Sequence, residues 1–271
     1  MIEKEFKELK SKAKHIRKLT IDTIGHLGFG HIGGSMSIVE ILTMLYYKHM
    51  RIDPMDPKKK DRDILILSKG HGGPTLYCVL ADKGYFSLDL LHTLNTGGTS
   101  LPSHVDMNRT PGIDMTAGSL GQGLSAAVGM ALANRLDKNP GLVYAIIGDG
   151  ESDEGQVWEA AMAAAHFKLD NLIAFTDRNK LQIDGFTKNI MDLGDLKAKW
   201  ESFGWFTQQI DGHNFEAIDK SINRAKTETG RPAMIILETV KGKGVSFAEN
   251  KESSHHMAFD YEMAKQAISC L

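Results

Sequence analysis

The chain has 271 residues, 42% of them hydrophobic and 24% charged, with 27 glycines and a formal net charge of −2. That length and balance allow one large buried core and exclude a disordered or low-complexity chain. A charge so near zero supplies no general electrostatic drive toward nucleic acid or an anionic membrane.

In chain order, the opening MIEKEFKELKSKAKHIRKL sets apolar residues at helical spacing among charges, so a helix over 6–27 is expected rather than a signal peptide. No run approaches the roughly 18 apolar residues of a membrane span. Helices are expected next at 37–49, opened by Ser35 or Ser37 as a cap, and at 74–83 and 88–94. Strand-length apolar runs fall at 64–67, 142–147, 172–176, 206–210 and 234–240, and most are separated by helical patterns at 120–136, 156–167, 193–203 and 215–229. Continuous apolar strands alternating with helices predict an α/β fold, a parallel sheet with helices on both faces in three layers. The Pro- and Gly-rich loops 53–63 and 95–116 do not separate halves of different composition, so residues 1–271 are expected to form a single domain. Lys58, Lys59 and Lys60 read as a solvated loop. Long loops in compact α/β domains are more often functional than structural, which makes 95–116 a site candidate. Cys78 and Cys270 show no disulfide or metal-clip spacing, which fits a reduced, cytoplasmic setting.

Residues 148–155 read GDGESDEG, between a strand and a helical pattern. In open parallel sheets ligands sit at the carboxyl ends of strands, which puts Asp149 in the expected crevice on a solvent-lined loop. Glu151, Ser152 and Asp153 suit an acidic helix start, a placement worth about 0.3 to 1 kcal/mol. A tight turn also explains these glycines, and the stretch alone admits both readings. Asn179 lies 30 positions after Asp149, behind the next strand and one crossover helix, so it faces the same crevice. A carboxylate and an amide oxygen are hard ligands that suit Mg²⁺ or Ca²⁺, with a phosphorylated cofactor completing the shell. The alternative for Asn179 is an Asx turn.

Gly28, Gly30 and Gly33 spell GxGxxG with Asp53 twenty residues on. The preceding residues read as helix, and a dinucleotide fingerprint requires a strand there. TAGSLGQG at 116–123 either approaches a ligand closely or caps the following helix. His31, His71, His104, His255 and His256 lie in loops among Gly, Ser or Pro. Singly they suit surface or capping positions; together they suggest a polar lining, without zinc-site spacing.

Six blocks carry a family resemblance: GHIGGSMS (30–37), LSKGHG (67–72), TAGSLGQG (116–123), GDGESDEGQVWEA (148–160), DRNKLQIDG (177–185) and TVKGKGVSF (239–247). In this order they resemble the N-terminal, diphosphate-binding half of the transketolases, which have a thiamine diphosphate-binding fold. The resemblance implies that Asp149, Asn179 and the Leu181 carbonyl bind the Mg²⁺ that holds the cofactor diphosphate. It makes His71, Gly118, Leu120, Gly150 and Ile183 cofactor-lining positions. His31, His104 and His255 are implied to contact sugar hydroxyls or the reacting carbonyl, with His255 set ahead of His256 by alignment alone. Glu154 corresponds to an acid linked to the cofactor-activating glutamate of the other half. The implied reaction passes a two-carbon ketol unit from a ketose phosphate to an aldose phosphate. It requires an electron sink that thiamine supplies and side chains do not. The implied partner is a separate C-terminal transketolase subunit, in a heterotetramer or around a dimer of this chain. Other expectations are a deoxyxylulose-phosphate synthase-like or 2-oxoacid-decarboxylating subunit, or a non-catalytic interaction subunit that keeps the fold.

Overall fold

The computed structural model describes every residue except Met1 and Asp184. The five apolar runs become strands β1 (Ile64–Leu67), β2 (Val143–Gly148), β3 (Leu172–Arg178), β4 (Phe206–Asp211) and β5 (Ala233–Glu238). They form one sheet in the order β1-β2-β3-β5-β4, and all four pairings are parallel.

Both faces of the sheet are covered, which is why the inner strands β2, β3 and β5 are mainly apolar rather than alternating, whereas edge strand β4 carries Thr207, Gln208 and Gln209. Val143, Ala145 and Ile147 point to one face, where they pack with helices α3 (Gln122–Leu136), α4 (Gly155–His166) and α5 (Leu196–Ser202) through Leu124, Val128, Val157, Ala161 and Trp200. Tyr144 and Ile146 point to the other face. There α1 (Ile2–Leu27), α2 (Gly73–Asp82), α6 (Phe215–Lys226) and α7 (Tyr261–Ser269) contribute Ile16, Ile24, Leu76, Ile218 and Ala264. Each large aliphatic side chain buried in these layers contributes about 1.5 to 3 kcal/mol. Short polar residues start the helices: side-chain oxygens of Asp195, Asn214 and Asp260 accept from the N–H groups of Ala198, Ala217 and Met263.

Two expected helices take different shapes. The stretch 37–49 is not one helix but a break after Ile32–Met36, a short helix Val39–Met44 and a π-helical turn Leu45–His49. Neither Ser35 nor Ser37 serves as its cap. Both are buried, and the Ser37 hydroxyl donates to Asp177 at 2.7 Å, a tertiary bond that outcompetes local capping. Residues Leu88–Thr93 form a 3-10 helix started by Ser87. Helix α1 precedes Gly28, so the glycine triplet 28, 30 and 33 follows a helix and lacks the strand a dinucleotide fingerprint needs. Lys58, Lys59 and Lys60 are exposed. Among the described residues no helix is long and apolar enough to cross a membrane.

The start of α3 is pressed against the end of β1. A Cβ on Gly123 would lie 2.5 Å from Ser68 Cβ and 2.7 Å from its Cα. Gly123→Ala is therefore expected to cost about 1 to 3 kcal/mol through overpacking against backbone, read as a lower urea midpoint with an unchanged slope. An unchanged midpoint would show that this approach can relax freely.

Candidate functional site

The carboxyl ends of β2 and β3 are adjacent, with Gly148 registered opposite Asp177. Asp149 and Asn179 each follow one of these ends, so the 30-residue separation closes to a hydrogen bond between Asp149 and Lys180, the residue after Asn179. Asp149 Oδ2 accepts from the Lys180 N–H at 2.6 Å, and Oδ1 accepts from the Gly150 N–H at 2.9 Å. Asn179 Oδ1 accepts from the Leu181 N–H at 3.1 Å. The loop is not solvent-lined as expected: Asp149 is 3% exposed and Asn179 7%.

These residues form one end of a cavity of about 310 Å³ that is also lined by His31, His71, His104, His255, Gly118, Leu120, Gly150 and Ile183. The loop 95–116 thus reaches the cavity through His104. His255 lines it, whereas His256 is exposed at its edge, its ring centroid 4.7 Å from that of His31 and 5.7 Å from that of Phe29. Glu154 is the one expected site residue that lies apart. It stands at the N-cap of α4 with its side chain exposed, because β2 turns away into a 3-10 turn at Gly150–Asp153 before that helix starts. A larger groove of about 750 Å³ runs beside edge strand β4, but its cations Lys220, Arg224 and Arg231 are exposed, so it holds no desolvated chemistry.

Four further residues carry the site's electrostatics. Asp177, fully buried, accepts from Lys69 Nζ at 2.6 Å, Ser37 Oγ at 2.7 Å, Asn179 Nδ2 at 3.0 Å and the Thr239 hydroxyl. Burial opposes its charge most, yet the Lys69 ammonium and these donors hold its carboxyl below the ordinary value. Lys241 is 2% exposed; its ammonium donates to the Leu181 carbonyl at 3.1 Å and lies 3.3 Å from His255 Nδ1. Burial, then the charge of Lys69, lowers its pKa to about 8. Glu151 is not a solvated helix start. It is buried and accepts from the Gly121 and Gly148 N–H groups at 2.8 and 2.9 Å and from the Ser68 hydroxyl. The signal that flagged Asp149, a polar residue just past a strand end among small residues, also marks Lys69 after β1 and Lys241 after β5.

The histidine wall stays uncharged. Burial first, then the neighbouring His104 and His255, lowers His31 to about 3; burial and Lys241 lower His255 to about 4. Burial also lowers His71 and His104. Neutral imidazoles hydrogen-bond to hydroxyls and move protons without repelling the two lysines. The His31 ring centroid is 5.7, 5.1 and 5.4 Å from those of His71, His104 and His255. Glycine permits this density: a Cβ on Gly34 would lie 2.9 Å from His71 Cδ2 and 3.0 Å from its Nε2.

The donor set fits a hard divalent cation. Among the described residues no group of three or more His, Cys, Asp or Glu side chains is placed to hold a metal ion. Asp149, the Asn179 amide oxygen and the Leu181 carbonyl offer instead three oxygens of the kind Mg²⁺ or Ca²⁺ prefers. Burial, then Asp177, pushes the Asp149 carboxyl up to about 7, and backbone N–H groups offset this only in part. A cation beside Asp149 would balance that charge, and Lys69 and Lys241 supply positive charge at the same end of the cavity for a diphosphate.

Comparison with known proteins agrees with this geometry. Residues 9–269 match the family described as "Transketolase, thiamine diphosphate binding domain". The chain is 59% identical to "6-deoxy-6-sulfo-D-fructose transketolase subunit SqwG" of Clostridium sp. (strain MSTE9), over 97% of this chain and 95% of that one. It is 41% identical to an apulose-4-phosphate transketolase subunit from Actinobacillus succinogenes, over 93% and 91% of the two chains. The solved transketolase of Campylobacter jejuni superposes with a TM-score of 0.90 at 31% identity, covering 96% of this chain and 42% of that one. The chain therefore spans less than half the length of that solved enzyme. The three-layer parallel sheet is the thiamine diphosphate-binding fold, and the chain belongs to the transketolase thiamine diphosphate binding domain family.

Proposed function

We propose that residues 1–271 form a single domain that acts as the thiamine diphosphate- and Mg²⁺-binding subunit of a two-chain transketolase. The observation that carries this reading is the convergence of the Asp149, Asn179 and Leu181 oxygens with Lys69 and Lys241 at one end of a cavity walled by four neutral histidines. Asp149, Asn179 and the Leu181 carbonyl hold the metal. Lys241 and Lys69 meet the diphosphate, and Gly118, Leu120, Gly150 and Ile183 line the bound cofactor. The thiazolium ring, when bound, supplies the electron sink for carbon–carbon cleavage next to a carbonyl. His31, His71, His104 and His255 orient the sugar hydroxyls and move protons at the reacting oxygen.

The substrates are a ketose and an aldose that exchange a two-carbon unit. Sugar phosphates, as in the pentose phosphate interconversions, are one class. A sulfonated ketose is the other, supported by the name of the 59% identical relative. Near end-to-end matches to proteins named as subunits support a separate partner polypeptide. Ile183, Phe186, Ile190 and Met191 are 63, 45, 47 and 59% exposed beside the cavity, an apolar surface for that partner to cover. The exposed Glu154 is assigned to the same interface, and the assembly is a heterotetramer in the cytoplasm.

The test is a reconstitution. The chain with thiamine diphosphate and Mg²⁺ is expected to be inactive alone and to transfer ketol units from xylulose phosphate or a sulfonated ketose to an aldose phosphate once its partner is added. Full turnover by the chain alone overturns the two-chain reading. Pyruvate consumption by the complex in place of ketol transfer overturns the reaction.

A further inference from the structure

The segment that carries Lys241 is pinned on both sides of the lysine by side chains that do not reach the cavity. On one side the Val240 N–H donates to His213 Nε2 at 2.9 Å. On the other the Lys243 carbonyl accepts from Arg17 Nη1 at 2.5 Å. Glu40 joins the two anchors: one carboxylate oxygen pairs with Arg17, and the other lies 2.9 Å from His213 Nδ1. Because Nε2 accepts a backbone proton, the ring's own proton sits on Nδ1 and is donated to Glu40. Arg17 and Glu40 are 6% and 7% exposed, and the bonds made by His213 are partly buried. Its members come from α1, from the helix Val39–Met44 and from the turn between β4 and α6, which lie far apart in sequence and pack against one another on the same face of the sheet.

We propose that Arg17, Glu40 and His213 are positioning residues for Lys241, setting where its ammonium meets the cofactor diphosphate. This rests on the reading that the cavity takes thiamine diphosphate. A lysine is a point charge on four rotatable bonds, and its value to a fixed anion depends on where its backbone is held. Among the described residues Lys241 has only the Leu181 carbonyl and His255 as hydrogen-bonding neighbours at its far end, so where its ammonium lies depends on how the strap sets the near end. Bonds from Gly242 N–H to the Gly33 carbonyl and from Asn250 N–H to the Lys241 carbonyl remain when His213 is changed, and they keep the segment folded.

The test is calorimetric titration of thiamine diphosphate with Mg²⁺ into the chain assembled with its partner, for four variants. Lys241→Met is expected to weaken binding about 30-fold and His213→Phe, which keeps the ring but has no acceptor for Val240, about tenfold. His213→Gln, which retains an acceptor, is expected within about threefold of wild type. Combined with Lys241→Met, His213→Phe is expected to add less than about twofold, because the lysine it positions is gone. If His213→Phe fails to fold, Glu40→Gln enters the same cycle. Wild-type affinity of Lys241→Met would overturn the reading of the cavity. A weakened Lys241→Met together with a neutral His213→Phe, or with one whose loss is the same in the Lys241→Met background, would overturn the positioning proposal alone.

Discussion

Asp149→Asn is expected to abolish metal-dependent cofactor binding, weakening it by at least about 100-fold, while making the cofactor-free chain more stable at pH 8. The two effects have one cause. The carboxyl is buried beside Asp177, and its folded-state pKa rises from 3.8 to about 7. The fold therefore binds this proton more tightly than the unfolded chain does. Stability from the group is complete below about pH 4 and falls as pH rises through 7. A difference of about 3 units corresponds to about 4 kcal/mol at 1.4 kcal/mol per unit. A bound cation reverses that cost, and the neutral amide of the variant removes it along with the ligand. Below pH 7 the cation must also displace the proton, so wild-type cofactor affinity is expected to drop up to about tenfold per pH unit. Urea unfolding with chelator at pH 5 and pH 8, beside calorimetry with Mg²⁺, checks both. A variant that keeps wild-type affinity, or is less stable than wild type at pH 8, overturns the account.

Asp177→Ala is expected to lose about 3 to 5 kcal/mol of stability, because it strands the buried Lys69 ammonium without its counter-charge. It also leaves the donors of Ser37, Thr239 and Asn179 without their acceptor, so the cost belongs at the upper end. For a chain of this length that is a melting temperature lower by about 10 °C. The pH sign is opposite to that of Asp149. The Asp177 carboxyl lies below its ordinary 3.8, so its contribution is present above about pH 4 and lost as pH falls through the lower folded value. Lys69→Met combined with Asp177→Asn removes both charges and is expected to recover about half of the loss. Thermal unfolding at pH 7 decides. A single variant within about 1 kcal/mol of wild type would show that water already reaches this pair.

The sequence carried the sheet because its physics is local. A strand buried on both faces needs an apolar run, and such runs at 64–67, 142–147, 172–176 and, ending in polar residues, 234–240 fall within a residue or two of the observed strands; the more polar stretch 206–210 became the edge strand. Helix ends were legible where the cap is a neighbour in sequence, as at Asp195 and Asn214. They were not legible at Ser37, whose hydroxyl binds a partner 140 residues away. The placement of Asp149 and Asn179 was also legible, because parallel strands joined by a crossover helix end on the same side of the sheet.

Tertiary structure alone decided which charges are buried together. A position just past a strand end marks Lys69 and Lys241 as facing the ligand crevice, but nothing local says that they, Asp177 or Glu151 are desolvated, since a charge loses its water only when elements from distant parts of the chain close over it. The same closure keeps the histidines neutral and brings Arg17, Glu40 and His213 behind Lys241. The sequence by itself determined the layers and the strand ends where a ligand sits. The fold decided the electrostatics there, because Coulomb energies depend on distance through space and on exclusion of water, and neither is written along the chain.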